Sequence, residues 1–243
     1  MAEDYRDIHV DRGGHYDATL AASAFDNYMT LWEEKHVRDL LPRVCPSGID
    51  RYLDFACGTG RLTRVIADYA REVVGVDISA TMLDAARPKL PRARFVLADL
   101  TSETVELGQF DLVSSFRFFG NAEPALRTAV LRALSPMVRM GGYLLVNNHR
   151  NPWALMNVFD RLTGGTADVH LTPPMFKRIL ADAGFDIVET QPIAVWQYRS
   201  KLAAQAGSQP DREARLERRY GGRFWAPIAP DAVILARKVR SHV

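Results

Sequence analysis

Cysteines are scarce in this sequence, and it contains neither a long apolar run nor a marked excess of charge. The two cysteines in 243 residues, Cys45 and Cys57, are too few for a disulfide framework and lack the CxxC spacing and histidine partners of a zinc site. No apolar run approaches the ~18–20 residues that span a bilayer, and the N-terminal segment has no signal-peptide core. Lys and Arg number 31 against 29 Asp and Glu, too balanced for a general polyanion-binding surface. We therefore expect a cytoplasmic protein without metal or membrane attachment, and the charge gives no reason to expect a nucleic-acid partner.

Short apolar runs alternate with amphipathic stretches along most of the chain. This alternation is typical of strand–helix units that build a parallel sheet. Ser79 is expected to cap the helix after the second strand. Apolar residues recur every four positions from 126 to 138, which predicts a helix that ends at Gly141 and Gly142. The predicted strands are residues 51–56, 72–77, 94–99, 110–115, 143–147, 185–189 and 231–236.

Two segments lie outside this alternation. Residues 1–45 contain a polar leader and then an amphipathic helix that ends at Pro42, and we expect them to form an N-terminal helical cap or lid. Residues 46–243 are expected to form the main domain. Within it, residues 196–230 are predicted to be an insertion, made of a loop and a mixed-charge helix, before the last strand.

Acidic residues follow the apolar runs at the ends where open α/β sheets bind ligands. Asp77 ends the second predicted strand, where its carboxylate can accept both hydroxyls of a ribose. Asp99 ends the third strand, where it can accept a hydrogen bond from the exocyclic amine of a base. Gly58 and Gly60 permit a tight turn after the first strand. Thr63 occupies the third glycine position of a dinucleotide fingerprint, so a pyrophosphate is not the expected ligand.

Four segments resemble, in order and spacing, the motifs of the class I S-adenosylmethionine (SAM)-dependent methyltransferases. They are Leu53–Gly60 (LDFACGTG), Asp77, Ala98–Leu100 and Phe110–Phe116, followed by a family-like helix–GG–strand at residues 134–146. The resemblance covers residues 50–150 strongly. It implies an α/β, Rossmann-like fold with a mostly parallel seven-stranded sheet in the order 3-2-1-4-5-7-6, strand 7 being antiparallel, flanked by helices.

The resemblance also implies a cofactor, SAM, and its product S-adenosylhomocysteine (SAH). SAM is a cation with a nearby carboxylate, so its site needs acids and aromatic rings rather than a phosphate cradle. The residues that we expect to contact it are Tyr28, Asp54, Ala56, Cys57, Gly58, Thr59, Gly60, Arg61, Asp77, Ile78, Met82, Asp99, Leu100 and Phe116.

Motifs that the sequence lacks narrow the range of possible methyl acceptors. Ser114–Arg117 replaces the Asn/Asp-Pro-Pro-aromatic run of enzymes that methylate amino groups of DNA bases, and neither cysteine follows the fourth strand, as cytosine C5 methylation requires. Among the members of this family, a small-molecule methyltransferase is the type that remains. An oxygen or nitrogen atom is favoured over carbon as the methyl acceptor. An RNA or protein methyltransferase and a non-catalytic SAM- or SAH-binding partner protein stay open as alternatives. The oligomeric state is also open, with a homodimer among the options.

Methyl transfer from a sulfonium is an in-line displacement that depends on positioning, and it needs a base only when the acceptor must lose a proton. His149, just past the fifth strand, and His15 in the leader are candidate bases because an unperturbed imidazole has a pKa of ~6.5. A structural role for His149, bonded to backbone, is the alternative. The candidate acceptor contacts are Tyr16, Arg117, Phe118, Phe119, Asn121 and Arg150.

Overall fold

One mixed sheet of seven strands organises the computed structural model, which describes residues 16–149, 151–154, 157–158, 162, 171–195, 219 and 222–241. The strands lie in the order β3-β2-β1-β4-β5-β7-β6, and β7 is antiparallel to both of its neighbours. The predicted order and the antiparallel last strand are thereby confirmed. The strands are β1 (Ile49–Phe55), β2 (Ala70–Asp77), β3 (Arg94–Leu97), β4 (Phe110–Ser115), β5 (Val138–Asn148), β6 (Phe185–Ile193) and β7 (Asp231–Lys238).

Helices cover both faces of the sheet. Three of them start at serine or threonine caps that their sequences favour. At the first of these, before the helix Ala24–Val44, the Ser23 hydroxyl accepts from the Asp26 N–H at 3.1 Å. The Ser79 hydroxyl accepts from the Met82 N–H at 3.3 Å, and the Thr172 hydroxyl accepts from the Met175 N–H at the same distance. The helices are α1 (Tyr16–Ala22), α2 (Ala24–Val44), α3 (Arg61–Ala67), α4 (Ala80–Ala86), α5 (Pro124–Leu134) and α6 (Pro173–Asp182), with 3₁₀ turns at Arg87–Lys89, Ser135–Met137 and Arg223–Ile228.

Alternate residues of the strands enter two different cores, which makes the fold three-layered. On one face, strand residues such as Val113 and Val146 pack with α5 and α6. On the other face, their neighbours Leu112 and Leu145 pack with α3 and with the apolar side of α2. The predicted cap of residues 1–45 therefore contains a helix, α2, that covers the sheet. The division at residue 45 itself stays a prediction, and most of the expected insertion at 196–230 lies outside the described residues.

Two predicted helix ends are wrong. Helix α2 continues through Pro42 to Val44, because a proline in the last turn leaves the closing bond from the Cys45 N–H to the Leu41 carbonyl intact at 2.8 Å. Helix α5 ends at Leu134 rather than at Gly141–Gly142. Pro136 has no N–H for the next helical bond, so the chain tightens into the 3₁₀ turn Ser135–Met137, and Val138 already pairs with Phe110 in the sheet, so the two glycines lie inside β5.

Within the described part of the chain, every helix falls short of the length and apolarity that crossing a bilayer requires.

Candidate functional site

The loop between β1 and α3 lies where the strand order reverses. β1 has β2 on one side and β4 on the other, and such a switch point opens a crevice beyond the carboxyl ends of the strands. In this loop Ala56 and Gly58 both have φ of 54°, and Gly60 has φ of 78°. A Cβ on Gly60 would lie 3.1 Å from Leu90 Cδ1, so glycine lets the loop sit close to the segment after α4. A positive φ at an alanine costs about 1–3 kcal/mol, a strain that concentrates at functional sites.

Asp77 joins this loop to the end of β2. Its side chain is nearly buried, Oδ2 accepts from the Gly58 N–H at 2.7 Å, and Oδ1 accepts from the Ser79 N–H at 2.9 Å. Met82 is buried on α4 beside Gly58. Ile78 is partly buried in the turn between β2 and α4. The carboxylate therefore stands at the crevice between two strand ends.

Asp99 follows the neighbouring strand, β3. Its Oδ1 accepts from the Thr101 N–H at 2.9 Å and from the Thr101 hydroxyl at 2.6 Å. The Ala98 N–H donates to the Asp77 carbonyl at 3.1 Å, which sets the two acids at adjacent strand ends. Leu100, the next residue, is buried in the core.

Asp54 is buried beneath the loop, and Cys57 is a buried residue of the loop itself. Asp54 accepts from the hydroxyls of Thr63 and Ser114, each at 2.6 Å, and burial raises the pKa of its carboxyl to about 6. Burial also raises the pKa of the Cys57 thiol, which packs with Phe95, so this cysteine is not an activated nucleophile. Asp54 thus supports the loop from below and Cys57 anchors it in the core, and their contact with a cofactor stays a prediction.

A buried acid on α2 connects the elements around the crevice. Glu33 has no solvent exposure; its Oε2 lies 2.7 Å from Arg61 Nη2, and its Oε1 accepts from Asn147 Nδ2 at 3.0 Å. Arg117 Nη2 lies 3.6 Å from the same carboxylate. Burial opposes ionisation of Glu33, but the positive charges of Arg61 and Arg117 outweigh it and hold the pKa of Glu33 below its usual range. The cluster links α2, α3, the turn after β4 and the end of β5.

Arg117 lies just past β4 with φ of 59°, and the chain around it holds it in place. Its N–H donates to Asn147 Oδ1 at 2.6 Å, its guanidinium pairs with Asp26 at 3.1 Å, and its carbonyl accepts from Asn121 Nδ2 at 2.6 Å. Tyr16, half-buried at the start of α1, is close enough to interact electrostatically with the Arg117 guanidinium. The acceptor roles expected for Arg117, Asn121 and Tyr16 stay predictions.

The aromatic residues near β4 fall into two groups. Phe118 and Phe119 are buried in the core, their ring centroids are 5.2 Å apart at 89°, and Phe118 also packs edge-on against Phe55. Phe116 is only partly buried, and Tyr28 is buried on α2, 6.3 Å from the ring of Trp32. The packing of Phe118 and Phe119 stabilises the turn, so Phe116 is the aromatic side chain of this segment with the better access to a ligand.

His149 pairs with an acid from a distant part of the chain. Asn148 of β5 is paired with Ala232 of β7, so the next residues, His149 and Asp231, stand opposite each other. The Nδ1 atom of His149 is hydrogen-bonded to Asp231 Oδ1, and both side chains are buried. A Cβ on Gly120 would lie 2.4 Å from the His149 carbonyl, so the turn after β4 approaches His149 closely. His15 and Arg150 lie outside the described residues.

Helix α1 contacts the glycine loop directly. Asp17 accepts from the Thr59 hydroxyl at 2.6 Å and from Lys89 Nζ at 2.5 Å, and Lys89 also donates to the Thr59 carbonyl at 3.0 Å. Partial burial raises the pKa of Asp17, but the bonds from Lys89 and Thr59 outweigh it, so the pKa is lowered overall. This three-residue contact places α1 over the loop.

Sequence reasoning missed four polar residues of the site: Asp17, Glu33, Asn147 and Asp231. Glu33 carried a signal, because it lies four residues after Met29 and four before Val37 on the buried side of α2. Asp231 carried another, since it opens the strand that was expected to run antiparallel to the fifth. Asp17 and Asn147 had no comparable signal.

The chain is similar to known methyltransferases. Residues 53–142 match the family model described as a methyltransferase domain. The sequence is 34% identical over 125 residues to demethylmenaquinone methyltransferase of Beutenbergia cavernae, covering 51% of this chain and 50% of that protein. It is 34% identical over 123 residues to trans-aconitate 2-methyltransferase of Paracidovorax citrulli, covering 47% of this chain and 45% of that protein. The chain thus spans about half the length of these curated relatives.

The fold is similar to that of solved methyltransferases. The crystal structure of magnesium protoporphyrin IX methyltransferase from Synechocystis PCC 6803 with bound SAH superposes with a TM-score of 0.63 at 15% identity, covering 96% of this chain and 97% of that one. At this identity the likeness is one of fold. Together with the methyltransferase-domain match over the β1–β5 region, the sheet order indicates a methyltransferase domain with a class I, Rossmann-like fold.

Proposed function

We propose that this protein transfers the methyl group of SAM to an oxygen or nitrogen atom of a small-molecule acceptor. The observation that carries the proposal is the placement of Asp77 and Asp99 at adjacent strand ends beside the strained Ala56–Gly60 loop. The names of the relatives support a small acceptor, since they describe enzymes of demethylmenaquinone, trans-aconitate and magnesium protoporphyrin IX.

The residues around the loop fit SAM. Asp77 accepts a hydrogen bond from Gly58 at the end of β2, and a carboxylate at this position suits two ribose hydroxyls. Asp99 would accept from the adenine amine, and Gly58–Gly60 would lie against the methionine part. Phe116 and Tyr28 offer aromatic surface for a cation. When bound, SAM supplies a methyl group that its sulfonium leaving group has already activated.

The chain itself then has to position and desolvate the reactants. The Glu33 cluster keeps the turn after β4 and the N-terminus of α3 in fixed positions, so the acceptor side of the crevice does not need to be reorganised on binding. Asp17 holds α1 over the loop, which favours exclusion of water. For an acceptor that must lose a proton, His149 is the proposed general base at the end of β5.

Methyl-labelled SAM tests this proposal. The purified protein is incubated with labelled SAM and a cell extract, and the products are separated into small molecules, RNA and protein before counting. Label in the small-molecule fraction supports the proposal. Label in RNA or protein contradicts the acceptor class, and SAH binding without any transfer indicates a cofactor-binding protein without catalysis.

A further inference from the structure

We infer that Asp231 is a positioning residue for His149, and that the acceptor therefore carries a proton that must leave, as a hydroxyl or a protonated amine does. This inference rests on the proposed methyl transfer and deepens it, because it distinguishes such acceptors from carboxylates. A carboxylate has no proton to lose and would gain nothing from a base.

The contact between the two residues determines which nitrogen of His149 is available. A carboxylate only accepts hydrogen bonds near neutral pH, so the bond from Nδ1 to Asp231 requires the proton of the neutral ring to be on Nδ1. The lone pair is then on Nε2. Among the described residues Nε2 has no hydrogen-bond partner, so it is the nitrogen left for a bound molecule.

The surroundings of the pair favour a role in the site over a purely structural one. His149 lies at the carboxyl edge of the sheet, where the turn that carries Gly120 closely approaches its carbonyl. His149 lies within electrostatic range of Glu33, and Asp231 within that of Arg117, so the pair adjoins the cluster that borders the crevice. A buried carboxylate behind the ring also stabilises the imidazolium that forms when the base takes up a proton.

His149 Nε2 takes the proton from the acceptor atom, whose electron pair forms the new bond to the methyl carbon. The sulfur keeps the electron pair of the bond that breaks. The imidazolium, held by Asp231, later passes its proton to water, so that one proton is released for each methyl group transferred.

The tautomer of His149 is measurable without an acceptor. Long-range ¹H–¹⁵N spectra of the SAH-bound protein near pH 8 distinguish a protonated from an unprotonated ring nitrogen, and His149→Gln assigns the signal. A spectrum with Nδ1 protonated and Nε2 unprotonated supports the inference. The opposite tautomer in the unaltered protein overturns it, whatever any variant does.

The transfer assay supplies the second readout. Asp231→Asn is expected to lower the turnover rate on the small-molecule fraction on the order of 10²-fold, as His149→Gln does, with SAH affinity unchanged. Asp186→Asn, an exposed Asp-to-Asn change on β6, is the matched control. His149→Gln leaves β7 unaltered and serves if Asp231→Asn does not fold.

Failure of the proposed function and failure of the inference give different results in this assay. No transfer by the unaltered protein contradicts the proposed function, whereas transfer that both variants retain contradicts the inference alone. Mild alkali adds a chemical criterion, because it releases labelled methanol from a methyl ester but not from a methyl ether or amine. A labelled product that alkali cleaves would identify a carboxylate acceptor and overturn the inference.

Discussion

At the scale of single residues, position in the fold gives two aspartates different chemistry. Asp54 lies within β1, is enclosed by Thr63 and Ser114, and has a raised pKa because burial opposes its charge. Asp77 lies at the very end of β2, and backbone N–H groups of two loops bond to it. One acid therefore contributes to the interior and the other to the crevice.

Replacing Asp77 tests the ribose assignment. Asp77→Ala removes charge-assisted hydrogen bonds worth ~1.5–3 kcal/mol, so SAH affinity should fall about tenfold or more, as measured by calorimetry. Asp84→Ala, which removes an exposed acid of α4, should bind SAH normally. Equal affinity of Asp77→Ala and the unaltered protein would contradict the assignment.

Asp54 should make stability depend on pH. Its folded-state pKa of about 6 lies above the ~3.9 of an unfolded aspartate, so its contribution is complete below about pH 4 and is lost as the pH rises through 6. A shift of about two units corresponds to about 3 kcal/mol. Asp54→Asn cannot ionise, so its free energy of unfolding relative to the unaltered protein should rise by roughly this amount between pH 4 and pH 7.

The measurement is urea unfolding of both proteins across that pH range. Asp50→Asn, an exposed change on the same strand, should track the unaltered protein. If the free energy of unfolding of Asp54→Asn had the same pH dependence as that of the unaltered protein, the buried carboxyl would not be the titrating group.

At the scale of elements, the apolar face of α2 was predictable from its spacing, but its polar contacts were not. Glu33 reaches Arg61 on α3 and Asn147 on β5, which are separated from it in sequence by 28 and 114 residues. No local pattern encodes which distant side chains such an acid meets. The end of α5 was misplaced for a related reason, since pairing of Val138 with β4 overrode the helical spacing.

Protonation of His36 should weaken the packing of α2 against β6, so the stability of the protein should fall in acid. Its Nε2–H donates to the Pro192 carbonyl of β6 at 3.2 Å, and burial lowers its pKa to about 4. Because this value lies below the ~6.5 of an unfolded histidine, the stability contributed by the neutral ring is complete above about pH 6.5 and is lost as the pH falls toward 4. The sign is opposite to that of Asp54.

Thermal unfolding of His36→Gln at pH 7 and pH 4.5 checks this prediction. The unaltered protein should lose more stability on acidification than the variant, since glutamine takes up no proton. Parallel losses would show that His36 does not control the acid sensitivity of α2.

Helix α1 should behave as a lid over the glycine loop. Asp17→Ala removes the bonds to Thr59 and Lys89, so trypsin should cut within residues 1–40 faster than in the unaltered protein. SAH should slow the cutting of the unaltered protein because the bound molecule holds α1 against the glycine loop. Cleavage at one rate in both proteins, with and without SAH, would contradict the lid.

At the scale of the whole molecule, the alternation of strands and helices was predictable from local patterns, and the sheet order followed from the resemblance to a known family. Several predicted strand ends were wrong, since β3 ends at Leu97 rather than Asp99 and β5 begins at Val138 rather than Tyr143. The His149–Asp231 pair was not predictable in this way. It joins residues 82 positions apart and forms only because β7 returns antiparallel to β5. The proposed acceptor side of the crevice thus depends on topology, whereas the residues proposed to bind the cofactor lie in separate short motifs that are each recognisable along the chain.

We propose that SAM binds in the crevice between the glycine loop and the two strand-end acids, with His149 on the acceptor side. The most direct test is a crystal structure of the protein with SAH. We predict ribose hydroxyls hydrogen-bonded to Asp77, the adenine amine facing Asp99, and the homocysteine against Gly58–Gly60 with its sulfur toward His149. SAH bound elsewhere, or bound in the crevice without contact to Asp77, would contradict the account.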